Sequence, residues 1–366
     1  VLSKGVGMPL FPVTSIGSGT RLDYTGETAT ILADVVIAST NGYGIDADGA
    51  SNLVIEGQVH GATAVGITGG TLLAGEGSVM RGTSIGLALF GTNPYVSLGG
   101  ELSADYAIYG SAGDARVVNS GTITGWSKAM WLTGDGTVVV NAGVMRAVGG
   151  TVNYAVDLSS ASDEDGVRFV NRGLVESLGL AFRGDPDGTE TLRNFGTLAG
   201  EVFSDGGDDL VRNAGFIDGM VRLGDGDDIF RGKGGAVEDG VFGGFGDDVL
   251  RGGAGDDLLN GGDGQDRLRG GRGEDLLIGG ADADRFVIDR RADWIEIADY
   301  AAGEDRIDLS AFGLSKGAFR KKLLDKALSG SGKDALLDLG AWGGEGFLEL
   351  DGVAADELGN RDFLLG

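Results

Sequence analysis

GGFGDDVLRGGAGDDLLNGGDGQDRLRGGRGEDLLI, residues 243–278, is built from four nine-residue units in tandem. They are GGFGDDVL from Gly243, GGAGDDLL from Gly252, GGDGQDRL from Gly261 and GGRGEDLL from Gly270. A fifth, GGADADRF from Gly279, keeps the step but has Asp282 in place of the glycine at the fourth position. Each unit carries one large apolar residue at its eighth position: Leu250, Leu259, Leu268, Leu277 and Phe286. A short strand points that residue inward, and the glycines permit the tight turn between strands. Two units then make one coil of a flattened parallel solenoid, with successive coils about 4.8 Å apart. A flexible glycine-rich linker has no reason to keep an apolar residue at every ninth position.

The sixth position is aspartate. Two units per coil put Asp248, Asp266 and Asp284 on one edge and Asp257 and Asp275 on the other. Asp228 in LGDGDDIF and Asp209 in SDGGDDLV extend the first edge, and Asp239 extends the second. Like charges one coil apart repel by roughly 3 kcal/mol per pair at an effective dielectric of about 20. Such a ladder needs cations, and carboxylates with turn carbonyls are hard oxygen donors that suit calcium. The stretch 232–242 is longer and lacks the central aspartate, so no metal site is expected there.

These units resemble the repeats-in-toxin (RTX) family, whose consensus is G-G-x-G-x-D-x-U-x with U a large apolar residue. The resemblance implies a parallel β-roll with several calcium ions between its turns. The implied ligands are the carboxylates of Asp209, Asp228, Asp248, Asp257, Asp266, Asp275 and Asp284. The remaining oxygens come from the glycine turns: Gly243, Gly244 and Gly246, Gly252, Gly253 and Gly255, Gly261, Gly262 and Gly264, and Gly270, Gly271 and Gly273.

Composition fits this reading. Of 366 residues 72 are glycine, yet 42% are hydrophobic, which favours many short strands joined by tight turns over disorder. A net charge of −26 disfavours nucleic acid and anionic membrane surfaces as partners. There is no cysteine, hence no disulfide and no cysteine-ligated zinc. No apolar run reaches the length of a membrane span, so membrane insertion is not expected. The opening VLSKGVGMPLFPVTS does not read as a secretory signal peptide, so export calls for another address.

Residues 284–366 supply one. Asp293–Ile295, Asp299–Tyr300, Gly303, Asp305, Ile307–Ser310 and the closing Asp362-Phe363-Leu364-Leu365 resemble the cap and secretion region that follows the repeats in serralysin-like bacterial metalloproteases. The resemblance implies type I export, with the export machinery as a partner of the C-terminus. Within this region Ser315 to Leu328 reads as a helix, with Ser315 as N-cap and Gly330 as its stop. Arg320, Lys321, Lys322 and Lys326 read as its solvated face, and Gly332-Lys333-Asp334 as a loop rather than a phosphate-binding motif.

A second repeat precedes the nonapeptides. Asparagine-x-glycine phrases begin at Asn119, Asn141, Asn171, Asn194 and Asn213 and alternate with apolar phrases such as YAIY at 106–109 and YAVD at 154–157. A period mostly of 20–26 residues predicts stacked coils with asparagine in the turns, able to form a hydrogen-bonded ladder. This region, roughly 35–220, resembles the degenerate repeats of autotransporter passenger domains and secreted β-helical adhesins. The expected fold is all-β: a parallel β-helix (35–203) continuing into a calcium-bound parallel β-roll (204–288), with a small mixed C-terminal cap (289–366). Residues 1–34 cover the open solenoid end, or cover another copy to give a head-to-tail polymer.

Catalysis has weak support in the sequence. The single histidine, His60, excludes a two-histidine zinc protease site and is read as a turn-surface residue near a strand end. Arg81, Tyr95, Tyr106, Tyr109, Arg116 and Lys128 could serve a polysaccharide lyase or epimerase, but nothing in the spacing selects them. No nucleophile elbow is present. Arg183-Gly184-Asp185 is a chance match to an integrin motif in a chain rich in Gly and Asp. The functional expectation is therefore a secreted, calcium-binding structural protein, extracellular or on the cell surface. It would be a surface-layer, matrix or filament subunit or an adhesin, with other copies of itself, a glycan or a cell surface as partners.

Overall fold

The computed structural model describes residues 10–11, 15–17, 22–24, 28–47, 52–149, 153–159, 166–317, 319, 328–329, 334–359 and 361–365. The chain divides into two compact units, Val1–Ser204 and Asp205–Gly366. Both are β-solenoids.

In the first unit a sheet of short strands runs in parallel register from Thr28–Ile31 through Asn52–Ile55, Thr71–Ala74, Tyr95–Leu98, Arg116–Asn119, Val138–Asn141 and Arg168–Asn171 to Thr191–Asn194. A second parallel sheet holds longer strands, among them Gln58–Thr68, Val79–Phe90, Glu101–Gly110 and Thr122–Leu132. Alternation in the short strands sends every second side chain inward. One inward column is Leu53, Leu72, Val96, Val117, Val139, Phe169 and Leu192, each at most 1% exposed.

The neighbouring column changes chemistry along the stack. It begins Ile31, Ile55, Ala74, Leu98 and continues, in the same register, as Asn119, Asn141, Asn171, Asn194. All four asparagines are 0% exposed. Their amides form the expected ladder: Nδ2 of Asn119 donates to Oδ1 of Asn141 at 2.8 Å, Asn141 to Asn171 at 2.9 Å, and Asn171 to Asn194 at 2.9 Å. Asn171 Oδ1 also accepts the N–H of Gly173, which closes the turn at the strand's end. The step from Asn141 to Asn171 is 30 residues, against 22 from Asn119 to Asn141 and 23 from Asn171 to Asn194.

The second unit has narrower coils. One sheet runs Leu210–Asn213, Ile229–Arg231, Val249–Ala254, Arg267–Arg272, Arg285–Val287, Arg306–Asp308 and Phe363–Leu364, all parallel. The other runs Val221–Asp225, Val241–Phe245, Leu258–Asp263, Glu274–Ala281, Trp294–Ile297 and Phe347–Leu350. Leu250, Leu259, Leu268, Leu277 and Phe286 are all 0% exposed, the inward stack their ninefold spacing requires. The cap adds antiparallel pairing of Ala335–Asp338 on Phe347–Leu350, and the closing Phe363 packs on Phe319 with ring centres 4.8 Å apart.

Of the helix expected over Ser315–Leu328, residues 316, 317 and 319 are helical, and Phe319 N–H bonds to the Ser315 carbonyl at 2.9 Å. Leu328 corrects the expectation: it belongs to a short strand, Leu328–Ser329, paired antiparallel with Leu336–Leu337. Hairpin pairing with the cap overrides the local helical pattern there. Arg320, Lys321, Lys322, Lys326, Gly330, Gly332 and Lys333 lie outside the described residues, as does most of the segment 1–34.

Candidate metal centre

In the nonapeptide turns the two carboxylate oxygens of Asp228, Asp248, Asp266 and Asp275 meet two different environments. On the first edge, Oδ1 of each aspartate accepts the backbone N–H of the aspartate one coil earlier. Asp209 N–H bonds to Asp228 at 2.7 Å, Asp228 to Asp248 at 2.8 Å, Asp248 to Asp266 at 2.8 Å and Asp266 to Asp284 at 2.9 Å. Asp305 continues the series by accepting from Asp284 at 2.9 Å. On the second edge Asp257 N–H bonds to Asp275 at 3.2 Å.

The other oxygen has no such partner. Oδ2 of Asp228, Asp248, Asp257, Asp266 and Asp275 is buried without a hydrogen bond. At Gly261 a Cβ would lie 2.0 Å from Oδ2 of Asp266 and 2.6 Å from the Gly279 carbonyl. The first glycine of the repeat therefore leaves open the space that this oxygen and a turn carbonyl share. The second glycine is needed for a different reason: Gly262 has φ +118°, a backbone geometry that side chains disfavour. In the fifth repeat Asp282 stands at the fourth position, where the others have glycine, with φ +73°, which aspartate tolerates.

Burial is the main electrostatic cost. It pushes the Asp248 carboxyl up to about 8, those of Asp228, Asp257 and Asp284 up to about 7, and those of Asp266 and Asp275 up to about 6. Neighbouring aspartates add to the rise, while the accepted backbone N–H opposes it on the first edge and at Asp275. An orphaned, buried, acceptor-only oxygen is satisfied by a cation. Among the described residues no three His, Cys, Asp or Glu side chains converge, so the remaining donors would be main-chain oxygens and water. One or two carboxylates completed by carbonyls form a hard-oxygen set, which fits calcium and not zinc.

The structure corrects and extends the sequence reading of the acidic positions. Asp239 is exposed and stands outside the ladder, because its turn lacks the glycine spacing that folds the carboxylate inward. A second, exposed ladder escaped notice. Position-five side chains take N–H groups from the next coil: Asp208 from Asp227 at 2.9 Å, Asp227 from Asp247 at 2.8 Å, Asp247 from Gln265 at 2.8 Å, and Asp256 from Glu274 at 2.8 Å. The doubled DD in the repeats was its only sequence signal. Asp299 also serves the turns, accepting from Gly279 at 2.9 Å and Gly280 at 2.8 Å.

Outside the second unit, the residues considered for catalysis are partly gathered. Tyr106 and Tyr109 lie 5.8 and 5.2 Å from the Trp131 ring, and Lys128 sits 4.1 Å above that ring while pairing with buried Asp157. His60 is the third residue of the strand Gln58–Thr68, not a turn residue, and its nearest polar partner is Gln58 at 3.4 Å. Burial, and then the charge of Arg81, lowers its pKa. Asp185 of the Arg-Gly-Asp tripeptide is 3% exposed and cannot be displayed to a receptor.

Fold and site together define a β-solenoid whose second unit carries stacked, calcium-suited acidic turns. Residues 239–268 and 260–287 match the family model of the RTX calcium-binding nonapeptide repeat. Repeats of this kind bind several calcium ions per array and imply a secreted calcium-binding solenoid of RTX type. No curated protein matches the chain.

Proposed function

We propose that this is a secreted structural protein, a subunit of a surface layer, matrix or filament or an adhesin, whose second unit folds on calcium outside the cell. The observation that carries the reading is the row of buried carboxylate oxygens without partners at Asp228, Asp248, Asp257, Asp266 and Asp275. Bound calcium would supply the positive charge that lets these groups ionise while buried. The chain's own part is to hold Oδ1 in the backbone ladder, to aim Oδ2 at the turn, and to keep the space beside the first glycine clear. Where calcium is scarce the ladder repels itself, and export in an unfolded form follows naturally. The serralysin-like pattern at the C-terminus supports a type I route.

A non-catalytic role is supported by the short coils and by a sequence that carries neither a nucleophile elbow nor a two-histidine zinc motif. The Tyr106, Tyr109, Trp131 and Lys128 cluster favours an adhesin that stacks a sugar over an inert scaffold. The alternative, a polysaccharide lyase or epimerase, would use the same cluster. Circular dichroism of the full chain with millimolar calcium and with chelator tests the folding claim. Equal β-signal in both would sink it. Electron microscopy of the calcium form, beside an assay for polysaccharide depletion, separates assembly from enzymatic activity.

A further inference from the structure

In a chain of net charge −26, the outer face of one sheet in the second unit is basic. Arg212, Arg231, Arg251 and Arg269 stand in register on successive coils. Stacked guanidiniums one coil apart repel as the aspartates do. Arg269 is neutralised by a two-pronged pair with Asp289. Among the described residues no carboxylate pairs with Arg212, Arg231 or Arg251, and the Nε groups of Arg212 and Arg231 are buried with no hydrogen-bond partner. The face is concave: a groove of about 380 Å³ is lined by Arg231, Lys233, Arg251 and Arg269, with Asp289 at its end. Burial, and then the charges of Arg231, Arg267 and Arg269, lower the pKa of Arg251. That is the signature of a site lacking its counter-charge.

The same unit displays the complementary surface. Asp208, Asp227 and Asp247 are exposed on a turn edge, one per coil, each held in place by the N–H it accepts through Oδ1. Both stacks share the rise of the same solenoid, so in two copies the charges match rung for rung at about 4.8 Å. We propose that the arginine groove receives the acidic turn edge of a second copy of this chain. Guanidinium forks suit carboxylates held at fixed spacing. A duplex nucleic acid or an anionic bilayer carries far denser charge and is repelled by the rest of the molecule. Because groove and edge are different surfaces, the contact is head-to-tail and propagates into a chain of copies.

This deepens the assembly reading above and rests on it, and the test separates the two. Calcium-loaded full-length protein is followed by sedimentation velocity over a range of concentrations, in low salt and in about 1 M salt, where screening shortens to about 3 Å. The expected result is growth with concentration in low salt and monomer in high salt. Arg231→Gln/Arg251→Gln and, separately, Asp227→Asn/Asp247→Asn should each weaken association at least about tenfold. An equimolar mixture of the two variants has one intact groove and one intact edge, so it should stop at a 1:1 dimer. Circular dichroism with calcium confirms that each variant is folded, and Arg231→Lys/Arg251→Lys, which keeps the charge, should retain partial association. Wild-type protein that stays monomeric overturns both readings. Assembly undiminished in the arginine variant overturns this proposal and leaves assembly by another surface. A mixture that stays monomeric, or arginines that instead capture an anionic oligosaccharide while copies ignore each other, also overturns it.

Discussion

Replacing Asp266 by asparagine should change stability in opposite directions with and without calcium. Asp266 is 1% exposed; its Oδ1 accepts the Asp248 N–H at 2.8 Å, and its Oδ2 has no partner. Asparagine keeps the shape and the Oδ1 acceptor but removes the charge. In chelator, the ionised side chain repels Asp248 and Asp284, at roughly 3 kcal/mol for each neighbour at an effective dielectric near 20. Partial protonation of carboxyls raised to about 6, 7 and 8 reduces that sum. A net gain of about 1–3 kcal/mol for Asp266→Asn is expected in chelator near pH 7. In millimolar calcium the same change leaves a buried cation short of one charged ligand, at a cost of about 3–5 kcal/mol. Urea unfolding of the full chain, followed by circular dichroism under both conditions, reads the two signs directly. A variant destabilised equally in calcium and in chelator would refute the claim that Oδ2 faces a cation.

Three further outcomes follow from the same geometry. In chelator the second unit should be more stable in acid than at alkaline pH. Its carboxyls, raised to about 6–8, hold protons that the unfolded chain releases near its ordinary value of about 4, so stability is full below about pH 4 and falls as pH rises through 6–8. Thermal melts in chelator across that range check the slope, and calcium affinity should rise over the same window. Gly261→Ala should abolish much of the calcium response, because its Cβ would lie 2.0 Å from Asp266 Oδ2, whereas Gly317→Ala meets nothing within 4 Å and should be silent; calcium titration compares them. Asn141→Leu should destabilise the first unit by about 3 kcal/mol despite matching the aliphatic residues elsewhere in its column. It removes the bond that Asn119 Nδ2 donates to Asn141, the one that Asn171 Oδ1 accepts from it and the one Asn141 gives the Leu174 carbonyl, leaving Asn119 Nδ2 only the Val144 carbonyl and Asn171 Oδ1 only the Gly173 N–H; a melt of the variant that matches wild type would show the ladder to be idle.

The nonapeptides were legible because glycine, aspartate and leucine each have one physical job at a fixed step. Leu250 through Phe286 stack inward, and Asp228 through Asp284 form one acidic edge, where the spacing put them. The asparagine ladder was legible for the same reason. What the sequence concealed depends on side chains from different coils. Asp208 and Asp227 look like ordinary solvated acids until register places each beside the next coil's N–H. Arg212, Arg231 and Arg251 are spaced unevenly along the chain, and only strand pairing lines them up. Leu328 misled because its local pattern is helical while its partner in the cap, Leu337, is nine residues away.

The two aspartate ladders point in opposite directions along the stack. Position-six N–H groups reach forward to the following coil, as Asp248 does to Asp266, and position-five groups reach back, as Asp247 does to Asp227. No coil in the middle is therefore complete by itself; each lends an acceptor to both neighbours. The forward series terminates at Asp305, whose two oxygens are both engaged, by Asp284 and Ala301. Among the described residues, the forward series thus closes within a single loop at the cap. Ordering should start from that end and spread toward the N-terminal coils, much as a zip closes from its fixed stop.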